Sequence, residues 1–270
     1  MLTLDDRLTF RALQAEQDNM VIDAMEAMLA QGILARPNGT AELVRDLTPV
    51  VTSASHLSAS TGSALYSAGR IHALGRAGAS FVANPVVRVG LTLAVQGTIA
   101  WGANEIIKRG GAREAVSDLR GGLTRHVRSG ARTTLEQAIR DDPAKPRYRR
   151  VPRAGGCEWC LMLASRGFVY SSKGTALVSS GMSGENMPGD KYHDYCSCTA
   201  EAQFKNEDPP EFVQHLENEW RRLNWVGGKP AYSPDVARDN WFQFVNQGGL
   251  GDRPKPKPVG RPSISTDSNP

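Results

Sequence analysis

A chain of 270 residues, 40% hydrophobic, 22% charged and net +4, can bury a core as one large domain or two modest ones. With aromatics at 7% and 27 glycines, it suits an alanine-rich helical protein better than a tightly packed enzyme. Met1-Leu2-Thr3-Leu4-Asp5-Asp6 lacks the basic and apolar regions of a secretory signal, and the most apolar stretch, residues 85–101, contains Arg88 and Gln96 and is too short to span a bilayer. The reading is of a protein made in a cytosol, where thiols stay reduced, with no membrane partner.

In chain order, Thr3 is a candidate N-cap, with Asp5 and Asp6 favourable in the first turn. Leu4, Leu8, Val21, Met25, Met28 and Leu29 recur at helical spacing. Gly32 and Arg36-Pro37-Asn38-Gly39 end that helix. Thr40 caps a second helix through Leu43, Leu47 and Val51 toward Leu74, with a break expected in the Ser/Thr/Gly-rich residues 52–63. Asn84-Pro85 opens a third helix to about Arg109. A fourth covers Ala112 to Ile139, with Gly121-Gly122 as an expected kink and Asp141-Asp142-Pro143 as its stop.

Residues 143–156 form a junction rich in Pro, Gly and basic residues, and the stretch before Pro152 is expected to be extended. Phe168-Val169-Tyr170-Ser171 reads as a short strand, and residues 174–190 as a loop rich in Gly, Ser and Met. Pro209-Pro210 precedes a helix from Glu211 to about Leu223, and Trp220, Trp225, Trp241 and Phe242 give this region its bulk. The expected architecture is a mainly α N-terminal domain over residues 1–142 and a small α+β, zinc-stabilised C-terminal domain over residues 143–250. Residues 251–270 are then an extended Pro-rich tail.

Charge is unevenly spread. Residues 1–50 hold four Lys/Arg against eight Asp/Glu, whereas residues 101–156 hold thirteen against six. The basic segment fits nucleic acid, an acidic protein face, or a solvated helix surface.

All four cysteines fall within residues 157–198, a distribution unlike that of a disulfide-stapled secreted domain. Cys157-x2-Cys160 offers one ligand pair, and His193-x2-Cys196-x-Cys198 brings a second from far along the chain. Soft thiolates with an imidazole favour zinc. The expected site is one structural zinc on Cys157, Cys160, His193 and either Cys196 or Cys198, with a four-cysteine site, a redox pair, two disulfides and plain buried thiols as alternatives. A catalytic metal is disfavoured. Cys157-Glu158 and His193-Asp194 lack the deaminase Glu offset, His-Glu-x-x-His is absent, and four protein ligands leave no position for water. Ser165 and the helical histidines His56, His72, His126 and His215 form no recognisable triad.

Arg150-Val151-Pro152, Cys157-x2-Cys160, Leu163-Ala164-Ser165-Arg166-Gly167 with Val169-Tyr170-Ser171, and Tyr192-His193-Asp194-x-Cys196-x-Cys198 together resemble minor head proteins of tailed phages of actinobacteria. Those are similar in turn to phage Mu F-like head-morphogenesis proteins. The resemblance is close over residues 148–204 and general over the helical part. It implies a virion component, assembled in the host cytoplasm, that works near the portal during head assembly or genome packaging and delivery. Its partners would be the portal protein and other head proteins, in a ring or in several copies. The basic segment 101–156 would face packaged DNA or an acidic ring of portal subunits. Some family members are capsid maturation proteases, but no protease constellation is present here. A nucleic-acid-binding zinc module and a hydrolase are the alternative readings.

Overall fold

A computed structural model describes residues 2–152, 156–165, 198–205 and 208–251. The described chain is mainly helical, with seven α-helices and two small two-stranded sheets. It divides into two compact units. The first comprises Met1–Arg149 with Phe168–Asp208, the second Arg150–Gly167 with Pro209–Pro270.

The first unit is a four-helix assembly of α1 (Leu4–Ala30), α2 (Gly39–Leu74), α3 (Leu91–Lys108) and α4 (Arg113–Asp141). Helix α1 starts as its sequence dictates. The Asp6 N–H donates to the Thr3 hydroxyl while the Thr3 N–H donates to the Asp6 carboxylate, a reciprocal capping box. It ends before Gly32, whose left-handed φ of 68° leads into a 3-10 turn over Ile33–Ala35.

Helix α2 is continuous for 36 residues, where a break over residues 52–63 was expected. The small residues there are not loop formers but a packing face. Ser55, Ser58, Ala59 and Gly62 are buried, and a Cβ on Gly62 would lie 2.7 Å from the Ala131 Cα of α4. Tertiary packing overrides the low helix propensity of such residues. Helix α4 likewise runs unbroken through Gly121-Gly122, and a Cβ at Gly122 would meet the Thr98 side chain at 2.7 Å. Helix α3 starts at Leu91, six residues later than Pro85 implies. The chain from Phe81 to Arg88 is irregular, and Val89-Gly90, with Gly90 at φ 74°, makes the turn into the helix.

The core of this unit gathers Val21 and Met25 of α1, Leu43, Leu47 and Val51 of α2, Val95 and Ile99 of α3, and Leu119, Leu123 and Val127 of α4. At the end of α4 the chain enters β1 (Arg147–Val151), which pairs with β2 (Thr199–Gln203).

The second unit packs α5 (Glu158–Ser165) against α6 (Glu211–Asn224) and α7 (Pro234–Asn246). Ser233 caps α7 by accepting from the Val236 N–H, with Pro234 at the first helical position. Trp241 is fully buried, donates its Nε1–H to the Glu158 carbonyl at 3.1 Å, and lies against Trp220 and Phe244. Between α6 and α7, strands β3 (Trp225–Val226) and β4 (Lys229–Pro230) form an antiparallel hairpin. Its two turn residues, Gly227 and Gly228, have φ of 59° and 78°, as a tight primed turn requires. The expected strand at 168–171, the loop at 174–190 and the tail beyond Gly251 lie outside the described residues.

Candidate metal ligands and buried charge networks

Of the five candidate ligands, three are described. Cys157 stands immediately before α5 and is half-buried, Cys160 is buried in the first turn of that helix, and Cys198 is buried immediately before β2. His193 and Cys196 lie outside the described residues. The Cys160 N–H donates to the Cys157 Sγ at 3.4 Å, and the Leu161 N–H donates to the Cys157 carbonyl at 3.0 Å. These two bonds fix the turn that sets the Cys157 and Cys160 side chains at the start of α5, the spacing of a two-sulfur ligand pair. Among the described residues, no group of three or more His, Cys, Asp or Glu side chains comes together as a metal site.

The first unit is instead organised by buried ion pairs that sequence reading did not single out. Glu201 of β2, 1% exposed, accepts from Arg7 of α1 through both oxygens at 2.6 and 3.0 Å, and from Arg149 of β1 at 2.9 Å. Burial pushes its carboxyl up, but the two arginines outweigh this and hold it below the ordinary carboxylate range. Asp142, fully buried at the end of α4, accepts from Arg70 and Tyr66 of α2. Asp18 of α1 accepts from Arg128 of α4 at 2.8 Å, and burial nevertheless raises its carboxyl. Nearer the surface, Arg120 of α4 pairs with Glu26 of α1.

The uneven charge of the sequence thus has a partly internal explanation. Arg120–Glu26 and Arg128–Asp18 join the basic segment 101–156 to the acidic segment 1–50 within one unit. The only sequence signal for these pairs was the opposite charge of the two segments, which does not reveal which residues meet.

His126 is 3% exposed on α4, with its Nε2 2.8 Å from the Thr98 hydroxyl of α3. Burial, helped by Arg125 and Arg88, pushes its pKa down to about 4 from 6.5. The unfolded chain takes up this proton below pH 6.5 and the folded chain does not until about 4. Stability therefore falls as pH drops through that window, by on the order of 3 kcal/mol in total. Urea melts of the wild type at pH 7, 6, 5 and 4 should show this fall, and His126→Gln should flatten it. Parallel slopes in the two proteins would contradict the assignment.

A groove of about 940 Å³ lies between the first turns of α2, the preceding 3-10 turn and α3. Its walls include Leu34, Val44, Ala100 and Ile107, and its charged lining residues are Arg36 and Arg45.

A family model described as VG15 protein matches residues 1–223. The match takes in α1 to α5, both strands of the first sheet, α6 up to its last residue and all five candidate ligands. The β3–β4 hairpin and α7 lie beyond it. No curated protein and no solved structure matches the chain.

Proposed function

The chain belongs to the VG15 protein family, a phage-related family of viral gene proteins, and from that premise we propose that it is a structural minor capsid protein of a tailed phage. It would sit at the portal or inner head and act in head assembly or in genome packaging and delivery. The observation that carries this reading is the extent of the family match, which spans the helical unit and the whole Cys/His cluster together. The motif resemblance to Mu F-like minor head proteins over residues 148–204 points the same way. No helix among the described residues is long and apolar enough to cross a membrane.

Within this reading, the sequence spacing of Cys157, Cys160, His193 and one of Cys196 and Cys198 assigns them to a single structural zinc. The Cys160 N–H to Cys157 Sγ bond, which fixes the turn joining the two cysteines, supports them as a ligand pair. Bound zinc would supply folding free energy to a segment with few apolar residues, and no chemical step is assigned to it. Arg120, Arg128 and Arg149, three of the thirteen Lys/Arg in residues 101–156, are engaged by carboxylates of their own unit, which supports the portal and other head proteins as partners beside packaged DNA.

The test is to purify heads from an infection, strip loosely attached protein with high salt, and assay the heads for this chain and for zinc. The chain should remain with the heads, with one zinc per copy. Its recovery solely in the soluble fraction would reject the head assignment. Heads that retain a zinc-free chain would reject the metal alone.

A further inference from the structure

The first half of α1 is built inside out. Its buried side carries Arg7, Gln14, Gln17 and Asp18 around Phe10, and these are hydrogen-bonded to Glu201, Ser58, Thr61 and Arg128 respectively. Its outer side exposes leucines, Leu4 at 66% and Leu8 at 51%, with Leu13 and Met20 each at 40%. At 100° per residue, Asp5, Glu16 and Asp23 run down the middle of that outer arc, flanked by Leu4 and Leu8 on one side and Leu13 and Met20 on the other. All three acids are exposed, and none forms an ion pair with a described residue. No exposed Lys or Arg lies on α1. Leucines left in water while the buried side is polar are costly unless something covers them.

The groove between α2 and α3 has the complementary character. Apolar side chains of Leu34, Val44 and Ile107 line it beside uncharged polar ones such as Asn38, Thr92 and Gln96, and its charged lining residues are Arg36 and Arg45. The two arginines are paired with Glu42 and Asp46 only at the exposed surface, where partners exchange at little cost. A channel between two helices is the shape that accepts the face of a third.

We propose that the occupant of this groove is α1 of a second copy of this chain. The leucine flanks of one copy would cover the apolar walls of the next, with Asp5, Glu16 and Asp23 facing Arg36 and Arg45. Because α1 and the groove are different surfaces, the contact is heterologous. It leaves one face and one groove unsatisfied at the ends, so it repeats until a ring closes. This stands on the surface chemistry of the helical unit and does not depend on the head assignment.

The test is sedimentation equilibrium of the full chain across a micromolar concentration series. The wild type should associate beyond the dimer, and the association should weaken as salt rises. Two exposed-site variants separate the surfaces. Leu4→Asp/Leu8→Asp spoils the face, and Ala41→Glu/Arg45→Glu spoils the groove. Both should melt as the wild type does, since Ala41 and Arg45 are exposed and an acid in the first turn of α2 favours the helix. Each variant alone should associate at least about tenfold more weakly. Mixed one to one, they should form a heterodimer and stop there, because one intact face meets one intact groove. A wild type that stays monomeric throughout would overturn the proposal. So would association unchanged by either variant, or a mixture that yields no heterodimer, which would indicate a symmetric contact.

Discussion

Gly130→Leu is expected to destabilise the helical unit by more than about 3 kcal/mol, and even Gly130→Ala should be a net loss. A Cβ at position 130 of α4 would stand 2.0 Å from the Ser55 carbonyl oxygen and 2.9 Å from the Ala59 amide nitrogen of α2. Both are backbone atoms, so no side-chain rotation relieves the clash. Helix α4 has to move away from α2 along the most extensive helix contact of the unit. Two effects compete for alanine. Replacing a mid-helix glycine gains up to about 1 kcal/mol in helix propensity. Overpacking a close-packed contact costs about 1–3 kcal/mol, and a backbone-to-backbone clash belongs at the upper end. The clash therefore wins. Gly97→Ala on the exposed side of α3 is the control. No atom lies within 4 Å of its added Cβ, so the propensity gain should appear there unopposed. Urea melts of the three variants decide the matter, and a Gly130→Ala protein as stable as the wild type would refute the packing argument.

The same contact explains what the sequence could and could not convey. The caps and stops of α1 were legible because they are local: Thr3 with Asp6, then Gly32. The start of α6 after Pro210 and the extended β1 before Pro152 were legible for the same reason. Residues 52–63 were misread because serine, threonine and glycine signal a loop locally, yet at a close helix crossing they are the residues that fit. The late start of α3 was misread because Asn84-Pro85 is a local helix-start signal, whereas the chain there is fixed by long-range contacts such as the Val86 N–H donating to the Thr134 hydroxyl of α4. Asp142 was read as one of three residues that stop a helix, and nothing in the sequence distinguishes it from its exposed neighbour Asp141. The candidate ligands were found from spacing alone, which needs no long-range geometry.

Asp142→Ala is the second large effect, with an expected loss of about 3–5 kcal/mol. The carboxylate is fully buried and accepts from Arg70 Nε at 2.7 Å and Nη2 at 3.1 Å, from the Tyr66 hydroxyl at 2.7 Å, and from the Ala144 N–H at 2.8 Å. Arg70 is itself 3% exposed and spends its remaining donor group on the Ala77 and Gly78 carbonyls. Removing the acid strands a buried guanidinium, and that uncompensated charge, more than the lost hydrogen bonds, sets the size of the effect. The double variant Arg70→Met/Asp142→Leu should accordingly lose less than the sum of its single variants, since it leaves no charge behind. The pH dependence has a definite sign. Burial pushes the Asp142 carboxyl up, but Arg70, Tyr66 and the Ala144 N–H together bring it below its ordinary value of 3.8. Its contribution is therefore present above 3.8 and is lost as pH falls through the lower folded value, a window beneath that of His126. Wild-type melts should keep steepening below pH 4, and Asp142→Ala melts should lack that last component. An Asp142→Ala protein within about 1 kcal/mol of the wild type at pH 7 would show that the end of α4 is not held by this ion pair.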